Sequence, residues 1–277
     1  MKSHFRSASE LAIVEILGIG IFAALIALLA SYTKLQLSGN TLIIAGIVLA
    51  IVPALLWIMA FYRQDTEPEP KAYVFGMFVL GAVLAKGLGE PIIRDMFAVQ
   101  NWIFQNTFLG FLASILIIGM LQEFIKYAAV RYTIYNTAEF DQPVDGIIYC
   151  ASAGLGYATA LNINYIMSNG GVDLGVGAII CAVEALAQAS TAGVVGYFLG
   201  QAKFRKMGPL WLPVGLLIAA ALNGVISMIL ELIPQLGTFG FNVWAALIAA
   251  IVIAGGIFFF LLTTMQRLNN QTIARSS

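Results

Sequence analysis

Histidine, cysteine and charge are all scarce in this sequence, and each scarcity removes a class of function. The one histidine among 277 residues is His4, in the N-terminal tail, where we read it as a solvated surface residue. A catalytic zinc draws about three protein ligands from His, Glu, Asp and Cys. A serine nucleophile needs a base beside it. His4 is badly placed for either. The two cysteines, Cys150 and Cys181, both lie in apolar runs and read as small buried hydrophobes, which argues against a disulfide framework. Charged residues make up 10% of the chain, against about 25% in an ordinary soluble domain. The formal net charge is zero, so no basic face advertises nucleic acid. No pair of aspartates falls inside the apolar runs, which excludes an aspartyl dyad.

What the chain has instead is long apolar stretches, with 60% of its residues hydrophobic. A membrane-crossing helix needs about 20 mostly apolar residues. Eight stretches meet that need, at roughly 11–30, 41–62, 73–89, 107–130, 147–167, 176–199, 211–233 and 241–264. The fold class expected is therefore all-α, a polytopic transmembrane bundle of about eight spans, forming a single integral membrane domain over 1–277. The first run lacks a small-residue cleavage pattern, so we expect it to stay attached. With the N-terminus in the cytoplasm, the inside segments hold Lys2, Arg6, Arg63, Lys71, Arg131, Lys203, Arg205, Lys206, Arg267 and Arg275, and the outside segments hold Lys34 and Arg94. That asymmetry places both termini in the cytoplasm. The third run is the weakest, with Lys86 and Glu90 near its end, and segment 90–106 reads as lying along the outer interface. Trp57, Trp102 and Trp211 fall near span ends and fit an interfacial belt, Trp244 more loosely.

Polar residues inside the spans are few and patterned. A charge at mid-bilayer costs a few kcal/mol on insertion scales, so such groups need partners and mark candidate sites. In the fourth span Gln122, Glu123 and Lys126 share one helical face. In the sixth, Cys181, Glu184, Gln188 and Thr191 form a stripe at steps of three, four and three. The seventh carries Asn223, Ser227 and Glu231 at steps of four, and the fifth carries Asn162, Asn164 and Tyr165. Glycine and alanine surround them and allow close helix approach. We therefore expect spans four to seven to pack around a shared polar centre. Gly154-x-Gly156 reads as packing, since no strand precedes it to build a phosphate loop.

Three strings carry a resemblance. FYRQDTEPEPKAYVFGMFVLGAVLA (61–85), LQEFIKYAAV (121–130) and AEFDQPVDGIIYCASAGLGYATALNINYI (138–166) resemble the PrsW family of intramembrane metalloproteases, supported by QASTAGVVGYFLG (188–200) and LNGVIS (222–227). The resemblance covers a core of about 61–230 and implies a bacterial-type inner membrane and a single-pass or membrane-proximal protein substrate or partner within the lipid bilayer. Its expected site does not transfer intact. A Glu-Glu pair falls on Gln122 and Glu123, a Glu-Asn pair on Leu161 and Asn162, one histidine on Gln188 and another on Asn223. Glu123 is the one retained catalytic candidate, and Lys126 is also kept. Amides are weak zinc ligands and cannot act as general bases near neutral pH. The reading is thus a protease homologue without activity and without a bound metal, binding or regulating a membrane-protein partner. Two alternatives stay open: an active zinc peptidase reorganised around Glu123 with Glu184 or Cys181, and a carrier or channel with a polar path through Glu123, Lys126 and Glu184. Counting along the spans puts residues 123 and 162 about 10 Å apart in depth at 1.5 Å per residue.

Overall fold

A computed structural model describes residues 8–33, 39–65, 67–103, 105–168, 174–236 and 243–276. His4 lies outside them. The helices are α1 Ala8–Thr33, α2 Gly39–Arg63, α3 Lys71–Leu84, α4 Thr107–Ala113, α5 Met120–Tyr132, α6 Asp145–Ser168, α7 Leu174–Phe204, α8 Trp211–Leu236 and α9 Val243–Ser276, and no strand occurs among the described residues. Seven described rods are long and apolar enough to cross a bilayer. The first expected span corresponds to α1, whose side chains are described only in part. The protein is a multi-pass helical bundle.

Two rods depart from regular α geometry. The fourth expected span is α4 and α5 joined by a π-helical stretch, Ser114–Gly119, and it starts cleanly because the Asn106 side chain accepts from the Phe108 and Leu109 amides at 3.0 and 3.1 Å. The third does not stop at residue 89. It runs on through π turns at Ala85–Gly89 and Ile92–Met96 until Ala98, at φ 46°, breaks it. Segment 90–106 therefore differs from the interfacial segment expected. Val99 and Ile103 are buried against Ala113 and Ile118, so the chain folds back onto the next rod. Burying those side chains outweighs lying flat at the interface.

The α6 and α7 rods form the interior of the bundle, and the other spans wrap them. Small residues make this possible. A methyl group on Gly156 of α6 would overlap the Phe78 carbonyl of α3, and one on Gly196 of α7 would overlap the Gly146 carbonyl of α6. Backbone-to-backbone approach is how apolar helices gain packing energy where lipid removes the hydrophobic drive. Trp57 corrects the belt reading: it is 4% exposed, donates its ring N–H to the Ala182 carbonyl at 3.1 Å and meets Phe258 edge-on. Trp102 and Trp211 are half-buried, and Trp244 has no described side chain. Both cysteines are buried and free, as the sequence indicates.

The crossing at Gly156 yields a test. Gly156→Ala forces a carbon into the α3 backbone and should cost about 1–3 kcal/mol. Gly76→Ala meets nothing within 4 Å and should leave stability equal or slightly raised by helix propensity. Unfolding of both variants in detergent micelles measures the difference.

Candidate functional site

The polar residues of the middle spans meet in one enclosed centre. The α5 helix brings Gln122, Glu123 and Lys126 inward on adjacent turns, and each is 5% exposed or less. Lys126 Nζ lies 2.6 Å from Glu123 Oε1 and donates to Gln188 Oε1 of α7 at 2.7 Å. Gln188 Nε2 donates to Gln122 Oε1 at 2.9 Å and to Glu184 Oε1 at 3.0 Å, and reaches Asn223 Oδ1 of α8 at 3.4 Å. Asn223 Nδ2 donates to Glu123 Oε1 at 2.7 Å and Gln122 Oε1 at 3.0 Å, and Ser227 Oγ donates back to Asn223 Oδ1 at 3.0 Å. The face of Tyr157 covers the ammonium at 5.7 Å. Three helices are thereby tied by side chains that lipid could not satisfy.

A cavity of about 440 Å³ opens beside this network, lined by Gln122, Tyr157, Leu161, Asn162, Glu184 and Ser227 among others. The expected separation between α5 and the residue 161–162 region is thus bridged, since Gln122, Leu161 and Asn162 face one space. Asn162 itself donates to the Cys181 carbonyl at 2.9 Å. Cys181, one turn before Glu184 on α7, also packs with Leu42, Leu49 and Ile166 in an apolar cluster. Thr191 bonds back to the Ala187 carbonyl of its own helix. Glu231 lies outside the residues with described side chains.

Two wall residues escaped sequence reasoning. Tyr157 is fully buried and its hydroxyl has no partner among the described residues. Glu90 lines the same cavity and pairs with Lys86 at 2.6 Å. A tyrosine within an apolar run and a charge past a presumed span end gave no periodic signal.

The chemistry of the centre does not fit zinc. Gln122, Gln188 and Asn223 offer neutral amides, and the Glu123 carboxylate is already engaged by an ammonium that also occupies Gln188. A second cation there would face Lys126 at hydrogen-bonding range. Glu123 Oε2, like the Tyr157 hydroxyl, is buried with no partner among the described residues.

The description "PrsW family intramembrane metalloprotease" matches residues 69–269. Protease PrsW of Geobacillus kaustophilus is 31% identical over 182 residues, 65% of this chain and 77% of that protein. Protease PrsW of Bacillus subtilis is 31% identical over 183 residues, 65% of this chain and 80% of that protein. Protease PrsW of Clostridioides difficile is 26% identical over 187 residues, 66% and 77% of the two chains. No solved structure matches.

The buried ion pair makes a directional prediction. Lys126→Met or Glu123→Gln alone strands one charge in the bundle and should cost about 3–5 kcal/mol. The double variant removes both charges and should recover most of that loss. Denaturant unfolding of the three variants in micelles reads the coupling.

Proposed function

The chain belongs to the PrsW family of intramembrane metalloproteases, and from that premise we propose that it is a non-catalytic member that holds a membrane-protein partner instead of cutting it. One observation carries this reading. At the positions where the family resemblance calls for ligands and a water-activating acid, a lysine ammonium sits between Glu123 and Gln188, and amides and Leu161 fill the remaining places. The internal cation engages one oxygen of the carboxylate that a metal or attacking water would otherwise engage. Neutral amides neither neutralise a divalent ion nor accept a proton near neutral pH.

The cavity supports the binding half of the proposal. It is lined by apolar side chains of Ile93, Ile118, Leu161 and Leu230 together with amide and carboxylate groups such as Gln122, Asn162 and Glu184. That mixture suits a partner segment with an apolar flank and a few exposed backbone groups. A photo-reactive side chain at Leu161 should form an adduct with a single-pass membrane protein in native membranes. The same group at the exposed Phe259 should label lipid alone. Equal labelling from both positions removes the partner assignment.

A second reading has one observation in its favour: Glu123 Oε2 is buried and unpartnered among the described residues, and so is open to a water. Glu123 would then act as the base of a reorganised peptidase. Metal content and cleavage separate the two. Purified wild-type protein should carry no stoichiometric zinc and leave a single-pass reporter intact in liposomes. The combined variant Gln122→Glu, Leu161→Glu, Gln188→His and Asn223→His should gain about one zinc. Wild-type zinc lost on Glu123→Ala, or reporter cleavage abolished by the same change, would reverse the assignment.

A further inference from the structure

Away from the polar centre, the turn between α2 and α3 seats on the head of α6, and two buried carboxyls meet there. Glu69 and Asp145 are 5% and 1% exposed, and their side chains hydrogen-bond to each other. Asp65 brings a third carboxylate oxygen within 4.8 Å of both and accepts the Glu67 amide at 3.1 Å. A bond between two carboxyls needs a hydrogen, and two ionised carboxylates have none to offer. Like charges this close and this enclosed do not both form.

The remaining hydrogen bonds assign the proton. Asp145 Oδ2 accepts the Asp141 and Gln142 amides at 2.8 and 2.6 Å. Asp145 Oδ1 is buried and meets no donor among the described residues; an oxygen that itself carries the hydrogen needs none. Glu69 Oε2 accepts from the Tyr149 hydroxyl at 2.5 Å, which suits the ionised member of the pair. The other charged groups facing the two are Asp65 from the α2–α3 turn, Glu139 and Asp141 from the turn before α6, and Lys203 from α7. Glu67, on the same turn as Asp65, accepts from Gln142 Nε2 at 2.7 Å. Lys203 donates its ammonium to the Tyr135 and Phe140 carbonyls at 2.5 Å each, and neither Glu69 nor Asp145 is in a salt bridge among the described residues.

We propose that Asp145 and Glu69 share one proton, and that this proton is a pH-sensitive clasp holding the α2–α3 turn on the head of α6. While it is present, the pair bears a single charge and bonds across the junction. Its loss leaves two anions in contact and lifts the turn. Burial pushes the Glu69 carboxyl above its ordinary range, in the same direction. Unfolded carboxyls ionise at about pH 4, so the folded protein keeps a proton that the unfolded chain has released. Stability is therefore greatest in acid and falls as pH rises, by up to about tenfold in the unfolding constant per pH unit, until the clasp opens and the curve levels. The clasp lies outside the polar centre and does not depend on what the cavity holds.

Spin labels on Pro68→Cys and Ala138→Cys, both exposed positions, read the junction in the full chain in nanodiscs, where the native cysteines are buried. The label separation should be longer at about pH 10 than at about pH 6, a range that spans a raised carboxyl. In Asp145→Asn the amide donates to Glu69 at every pH, so the short separation should persist throughout. Its stability should also fall with pH less steeply than that of the wild type, by about one proton. Infrared spectra of the wild type at neutral pH should show a carboxylic-acid carbonyl band that Asp145→Asn and Glu69→Gln both lack. That band should vanish over the pH range in which the labels separate. Glu69→Gln supplies the donor from the other side and carries the same expectations if Asp145→Asn does not fold. A folded wild type without the band, a band unchanged in both variants, or a separation that ignores pH overturns the clasp. So does equal widening in the wild type and Asp145→Asn.

Discussion

The interior of this protein is organised by one constraint: inside a bilayer an ammonium group has no water to turn to. Lys126, fully enclosed, is held by a carboxylate three residues earlier on its own helix and by an amide oxygen from α7. Each of those partners must in turn be satisfied, which draws in Gln122, Asn223, Glu184 and Ser227. The network is therefore a chain of obligations that begins with one charge. Its members come from α5, α7 and α8, so the positions of three spans relative to one another are fixed by it.

That network also bears on the difference between scaffold and chemistry. The family assignment rests on residues 69–269, which include every member of the polar centre. A scaffold can be shared while its site is rewritten, because fold and site answer to different physical demands. Close backbone contacts such as Gly156 on Phe78 and Gly196 on Gly146 preserve the arrangement of α3, α6 and α7. The side chains projected into the centre are free to change, provided they remain polar and mutually bonded. Gln188 and Asn223 meet that condition, and Leu161 is exempt from it, lining the cavity wall without any hydrogen-bonding demand.

Much of this was legible in the sequence. Apolar run length gave the spans, and steps of three and four gathered Gln122, Glu123 and Lys126 correctly onto one buried face. Periodicity fixes which residues share a side of a helix and says nothing of which neighbour that side meets, so the packing of Cys181 with Leu42, Leu49 and Ile166 was not legible. Trp57 misled for a related reason: a tryptophan near a span end suits an interface, but here an Ala182 carbonyl and the Phe258 ring offered it better partners inside. The Asp65, Glu69 and Asp145 cluster was invisible because its members are separated by up to 80 positions and meet only when two turns come together. Tyr157 stayed hidden as a cavity wall because it does not break the pattern of its span, and Glu90 because it read only as weakening the end of the third run.

The π-helical stretch at Ser114–Gly119 has a consequence of its own. A π turn holds one residue more than an α turn, and each residue added to a helix rotates everything beyond it by about 100° at 3.6 residues per turn. Upstream of the bulge, Phe108 and Phe111 look out at lipid. Downstream, the ionic triplet looks in. The bulge therefore works as an angular offset between the two halves of one rod. Were it ironed out into regular helix while the upstream half kept its seat on α8, the charged face would swing toward the hydrocarbon, and the lysine would lose its cage without a single contact residue having been altered.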